Sequence, residues 1–427
     1  MSKKLLQMQT IVEEFKSNLA LLRSTIKWVF VSIVIGIVVG FVSGSFGYIL
    51  TKVTNYRLDH SFMLYFLPIG SVIIVFLYRN IMKKKDPGTN QVLSAIHSDE
   101  DIPLHMAPLI YISTIITHTV GGSAGREGAA LQLGGSIGNA ISGVFGFKQK
   151  ESRHIMIMCG MSAAFAGLFG TPIAAAVFAM EVVSVGIMHY AALLPCSISA
   201  LISHGIAYQV FGIVPLSFDI MDLPVFEIKS ALIISVLAIL CGLLSIFFCV
   251  CLHETSKLFQ KLFENLYVRA FVGGCVLLCF TLIAGHQKYN GTGTAMIINC
   301  MEGQIHSVEF LFKIIFTAIT LACCFKGGEI VPTLYIGAAF GCLFGNLTGF
   351  SPSTCAAIGI GSMFCGVTNC PLTSLIICCE LFRTDGFPFF LLAIGFSYTL
   401  SGYYGLYSSQ KIVYSKYRSN FINKLAK

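Results

Sequence analysis

The stretch GGSAGREGAALQLGGS, Gly121 to Ser136, sets one glutamate among glycines immediately before a run of small and apolar residues. The glycines leave backbone N–H groups uncovered, and the pattern predicts a helix beginning near Ala129. A helix start carries N–H donors without intrahelical acceptors and a partial positive charge, so it binds an anion without needing a cationic side chain. Glu127 is itself an anion able to occupy that place, compete with an incoming one and vacate it once protonated. The plainer reading of the same residues is a helix cap, or a pair with Arg126 at a membrane face.

The sequence on either side decides where such a site lies. Of 427 residues, 55% are apolar and only 11% are Asp, Glu, Lys or Arg, with a mean hydropathy of +0.79. Soluble domains carry roughly 25% charged residues, and a fold of this size with so few could not clothe its exterior in water. Disorder, collagen-like repeats, coiled coils and small disulfide scaffolds are excluded by the same composition. The apolar stretches are continuous rather than alternating, which argues against a β-barrel. The chain reads as an all-α, polytopic, multi-pass membrane protein.

Long apolar helices are predicted at about 28–52, 62–82, 188–212, 230–252, 268–285 and 307–324. Around 107–183 and 325–401 the apolar runs are broken by Gly, Pro and short polar motifs into pieces below the ~20 residues of a span. Broken helices inside a bilayer are tolerated where they are buried or line an ion path. An internal repeat links the two regions. Phe165, Gly167, Pro172 and Glu181 recur as Phe364, Gly366, Pro371 and Glu380 at an offset of 199, and Glu127 with Gly135 matches Glu329 with Gly337 at 202. The expected organisation is a cytoplasmic amphipathic segment at 1–27, a first half at 28–212, a second half at 213–407 and a short basic cytoplasmic tail at 408–427.

The net charge of +8 comes from clusters in connectors, among them Lys83–Lys85, Lys148, Lys150 with Arg153, and the tail from Lys411. Such clusters place both termini in the cytoplasm under the positive-inside rule and give no nucleic-acid footprint. The sixteen cysteines fall largely in apolar helices and read as free thiols acting as small hydrophobes. No metal-ligand spacing and no cofactor motif is present, and no signal peptide precedes the first span.

Three further motifs carry chemistry. In Phe325–Gly341, FKGGEIVPTLYIGAAFG, glycines again precede a helix, with Pro332 in its first turn, where a missing N–H costs nothing. Glu329 stands there between hydrophobic segments; an ionisable group at that depth is a functional hypothesis by default, and its plainer reading is a vestibule carboxylate paired with Lys326. Pro87–Gln91 is by itself only a turn signal. Tyr403, Tyr404 and Tyr407 follow the last apolar run, and a tyrosine row there is an interfacial belt or a ligand set. His118, His189 and His204 are isolated and read as locally hydrogen-bonded.

Taken together, Gly125–Gly128, Gly328–Pro332 and Leu406–Ser408 resemble the anion-site motifs of the CLC chloride channel/transporter family, over about residues 28–415. The resemblance implies a CLC-type inverted repeat of tilted and broken transmembrane helices, assembled as a homodimer with a pore in each subunit. It also implies anion contacts from Thr89, Asn90, Gly125, Arg126, Gly128, Ala129, Ile330 and Tyr407. Three departures narrow it. The family's first-motif serine is replaced at Thr89–Asn90, its second-motif proline is Ala129, and its third-motif phenylalanine is Ile330, preceded by Glu329. Val182 falls where chloride/proton exchangers carry an inner proton-transfer glutamate.

This pattern resembles the fluoride/proton antiporter branch. It implies a cell-membrane secondary transporter that exports fluoride ion in exchange for protons, with Glu127 as the gating glutamate and Glu329 as a second proton-coupling group. A chloride/proton exchanger or a passive chloride channel is the alternative. A membrane enzyme is disfavoured, because no nucleophile elbow, HExxH pair or phosphate loop occurs.

Overall fold

The computed structural model describes residues 3–81, 88–97, 102–147, 149–305 and 307–427, with side chains from Asn18 onward apart from Ala20. Lys83–Lys85, Pro87 and Lys148 lie outside the described residues. Eight helices precede residue 212: α1 (Lys3–Asp59), α2 (Leu67–Ile81), α3 (Thr89–His97), α4 (Met106–Val120), α5 (Glu127–Val144), α6 (Lys150–Phe169), α7 (Pro172–Glu181) and α8 (Leu193–Phe211). Eight follow it: α9 (Ile228–Leu262), α10 (Leu266–Ala284), α11 (Thr294–Met301), α12 (Glu309–Ala322), α13 (Ile330–Thr348), α14 (Pro352–Thr368), α15 (Pro371–Phe382) and α16 (Phe387–Leu400).

Long and short helices divide as the hydropathy requires. Seven helical segments among the described residues are long and apolar enough to cross a bilayer, while five apolar helices have only 10–17 residues. The outward faces of the long ones are apolar, as Leu232, Val236, Leu243 and Phe247 on α9 illustrate; against lipid such a surface carries no penalty. Helix α1 runs unbroken for 57 residues from Lys3, carrying the lead-in directly into the first long helix. One expectation changes. The apolar stretch at 307–324 yields only the 14-residue α12, about 21 Å at 1.5 Å per residue, which falls short of a ~30 Å hydrocarbon core.

The halves pack by backbone approach at small residues. A Cβ on Gly134 would lie 2.1 Å from the Gly160 carbonyl oxygen, and one on Gly337 would lie 2.4 Å from that of Gly359, so α5 against α6 and α13 against α14 tolerate no side chain at those crossings. Gly134 with Gly337 and the starts of α5 and α13 relate these two helices at an offset of 203, not 202, while Gly160 with Gly359 keeps the offset of 199. The structural partner of Glu127 is therefore Ile330, and that of Glu329 is Arg126; the Glu127–Glu329 match in the sequence repeat is corrected accordingly.

The glutamates of the other match do correspond. Glu181, closing α7, accepts from the N–H groups of Leu372 (3.1 Å) and Thr373 (2.8 Å) and from Thr373 Oγ1 at the start of α15. Glu380 on α15 accepts from Ile173 (3.0 Å) and Ala174 (2.8 Å) at the start of α7. Each half caps the other's broken helix with a carboxylate, satisfying orphan N–H groups and the positive helix end together.

The basic tail folds as a hairpin of β2 (Lys411–Tyr414) and β3 (Phe421–Leu425), joined in parallel to the two-residue β1 (Ser184–Val185). It closes over the loop that follows α16. Lys427 N–H donates to the Tyr403 carbonyl, Gly405 N–H to that of Lys427, and Leu406 N–H to that of Val367.

Candidate functional site

Helix α4 ends at Gly121, whose φ of +95° reverses the chain, and the loop Gly122–Arg126 leads into α5. The loop before α13 meets it directly. Gly125 N–H donates to the Gly328 carbonyl at 2.6 Å and Gly328 N–H to that of Gly125 at 2.8 Å, an antiparallel bridge between the two glycine motifs. The helices α5 and α13 thus start side by side with their N–H groups converging. A third start joins them: Thr89, the first residue of α3, donates through Oγ1 to the Gly128 carbonyl at 3.3 Å.

Gly128 is where all three motifs touch. A Cβ there would lie 3.0 Å from Gly328 Cα, 3.3 Å from Thr89 Oγ1 and 3.4 Å from Glu329 Oε2. Ala129 and Ile330 are fully buried beside it. Pro332 is the third residue of α13 and Ala129 the third of α5, so α5 keeps an N–H donor at a position where α13 has none.

Both carboxylates lie at this junction in different ways. Glu127 is fully buried; its Oε2 accepts from the Arg126 backbone N–H at 3.0 Å, and Arg126 Nε lies 3.6 Å from Oε1. The side chain folds back over the start of its own helix, onto the donors that an anion would use. Oε1 has no hydrogen-bond partner. Glu329 is the residue before α13 and makes no side-chain cap bond, and its Oε2 is buried without a partner. Tyr407 is 2% exposed, its hydroxyl has no partner, and it lies within electrostatic reach of both glutamates.

The remaining predicted contacts separate. Asn90 ties α3 to the chain after Tyr407: its Oδ1 accepts from the Ser409 N–H at 3.0 Å. Arg126 also donates to the Leu168 carbonyl at 3.3 Å. Tyr403 bonds Ser415 through its hydroxyl. Val182 is buried and offers only its carbonyl, to Gln410 Nε2, while its neighbour Glu181 is engaged in capping α15.

Sequence reasoning missed Gln132, which is 3% exposed on α5 and donates to Thr89 Oγ1 at 3.2 Å, with its own Oε1 unpartnered. The signal was present, since Gln132 is the only amide side chain in its Gly/Ala/Leu run. It also missed Lys313, fully buried on α12 and held by Ser123 Oγ and the carbonyls of Tyr289 and Gly291. Ser123 belongs to the first glycine motif, so the lysine braces that loop from behind. His118 is buried with Nε2 3.4 Å from the Gly125 carbonyl oxygen, a local bond as expected.

The sequence profile of the voltage gated chloride channel family matches residues 70–402, which takes in Thr89 and both glycine motifs. The chain belongs to this family. Among its CLC relatives, the chloride/fluoride channel protein of Pseudomonas syringae pv. tomato is 31% identical over 407 residues, 94% of this chain and 90% of that one. A H(+)/Cl(-) exchange transporter of Salmonella schwarzengrund is 24% identical, over 90% and 85% of the two chains. The crystal structure of a CLC-type fluoride/proton antiporter superposes with a TM-score of 0.87 at 31% identity, covering 90% of this chain and 98% of that one. The all-α CLC fold is thereby shown, and with it a polytopic membrane transporter.

Proposed function

We propose that the protein is a fluoride/proton antiporter of the cell membrane, working as a homodimer whose subunits each carry a complete pathway. The observation that carries this reading is the pair of buried carboxylates at one junction of helix starts, Glu127 folded onto the donors and Glu329 beside Gly128 with a free oxygen. An anion and a carboxylate cannot share those N–H groups, because two like charges in a low-dielectric site repel strongly. Protonation of Glu127 removes the conflict, so the carboxylate and the anion alternate in the site. Glu329 takes the proton onward, in place of the glutamate absent at Val182.

Fluoride suits the donor set. It is small and strongly hydrated, so dense hydrogen-bond donation must replace its water. The N–H groups of Arg126–Ala129, including the one that Ala129 adds, supply this with the Tyr407 hydroxyl, while Thr89 and Gln132 hold the Gly128 carbonyl in place. The similarity to a fluoride/proton antiporter structure at 31% identity supports the same choice.

Purified protein in liposomes, followed with fluoride and pH electrodes, tests the reading. An outward fluoride gradient is expected to drive protons inward against their own gradient, and chloride to do so at least ten-fold more slowly. Equal chloride and fluoride rates would overturn the selectivity, and fluoride flux without proton movement would overturn the antiport.

A further inference from the structure

A cavity of about 930 Å³ lies away from the junction, among the ends of α2, α9, α10 and α12. Its charged lining is Arg79, Arg269 and Lys326 against one acid, Glu264. Arg79 is in the last turn of α2 and Arg269 in the first turn of α10, so both stand where membrane helices end, at headgroup depth. Lys326 reaches up from deeper in, its Nζ over the Tyr78 ring at 4.4 Å. Arg269 donates to Cys324 Sγ at 3.4 Å, and its Nε–H is buried with no hydrogen-bond partner. The other walls are aliphatic: Ile74, Val75, Leu266 and Leu321.

A second feature lies on the same helix, α10. One turn along α10 from Arg269 begins a wholly apolar groove of about 370 Å³, lined by Val272, Val276, Cys279 and Ile283 with the exposed rings of Phe271 and Phe280. A cationic cavity at the start of α10, with an apolar groove further along the same helix, suits an amphiphile with an anionic head. We propose that this is a binding site for an anionic phospholipid, with its phosphate held by Arg79, Arg269 and Lys326 and an acyl chain laid along α10. Basic pockets between membrane helices recognise lipid phosphates by this chemistry, and the guanidinium fork matches phosphate oxygens. Lys326 directly precedes the Gly327–Gly328 loop, and its N–H donates to Thr117 Oγ1 on α4, so an occupied site bears on the anion junction through one residue.

Native mass spectrometry of the full-length protein in detergent with added phosphatidylglycerol tests the proposal independently of any transport activity. The wild type is expected to keep a phosphatidylglycerol adduct under conditions that strip phosphatidylcholine. Arg79→Gln combined with Arg269→Gln is expected to lose it, Arg269→Lys to keep it, and Val272→Trp to weaken it by filling the groove. Phosphatidylglycerol is expected to raise the melting temperature of the wild type and not of the double Gln variant, whereas inorganic phosphate alone leaves it unchanged. Equal retention by the wild type and the folded double variant overturns the proposal. Stabilisation by inorganic phosphate equal to that by the lipid overturns the lipid as the occupant.

Discussion

At the residue scale, Glu127 and Gly128 are asked to do different things. Glu127→Gln keeps the side-chain volume and replaces a titrating carboxylate with a neutral amide. It is expected to leave measurable fluoride flux and to reduce fluoride-driven proton movement by at least a hundred-fold; retained coupling, read with paired electrodes, removes Glu127 from the mechanism. Glu329→Gln is expected to cut proton movement with less effect on anion flux, which the same recording separates. The glycines act by space alone. A Cβ on Gly328 would lie 2.4 Å from Gly128 N, whereas one on Gly143 would meet nothing within 4 Å. Gly328→Ala is therefore expected to abolish transport or folding, while Gly143→Ala, inside α5, is neutral or stabilising by about 0.5–1 kcal/mol, measured by thermal unfolding in detergent.

At the scale of elements, the pseudo-symmetric exchange of caps between α7 and α15 holds the broken helices together. Glu380→Ala leaves the N–H groups of Ile173 and Ala174 without acceptors and is expected to cost about 0.5–2 kcal/mol. Glu181→Ala should cost more, because Thr373 Oγ1 loses its acceptor as well. Melting temperatures of the two variants check the order, and a reversal contradicts the capping account. These glutamates were legible as a repeat, since a pattern such as F-x-G-x4-P-x8-E survives in sequence, but their purpose was not, because each caps a helix about 190–210 positions away. The spurious Glu127–Glu329 match arose for the converse reason. Two acids close to equivalent helix starts look paired by counting, and the helix starts, the Gly134 and Gly337 crossings and the Gly125–Gly328 bridge fix the register. Asn90 shows the same limit: its bond to Ser409, over three hundred positions on, was not legible in the sequence.

Across the whole molecule, composition and broken hydropathy sufficed for a polytopic helical fold, and three glycine-rich or tyrosine-containing motifs for its family. The short β-sheet was not legible, because β1 has two residues and the tail lacks a strong alternating pattern. That sheet has a mechanical role. The terminal residues clamp the loop bearing Tyr407 through Gly405, Tyr403 and Gln410, and Gln410 in turn bonds the carbonyls of Val182 and Thr368. Removing residues 411–427 is expected to lower fluoride flux several-fold and to expose the Leu406–Ser409 loop to protease, with the helical circular dichroism retained. Unchanged flux would show that Tyr407 is positioned without the hairpin.

The most direct test of the central claim is a proton recording under a fluoride gradient alone. With wild-type protein in vesicles at equal internal and external pH, loaded with fluoride and diluted into fluoride-free buffer, the vesicle interior is predicted to acidify as fluoride leaves. An interior that stays at its starting pH while fluoride drains out would contradict the exchange of a proton for an anion at Glu127.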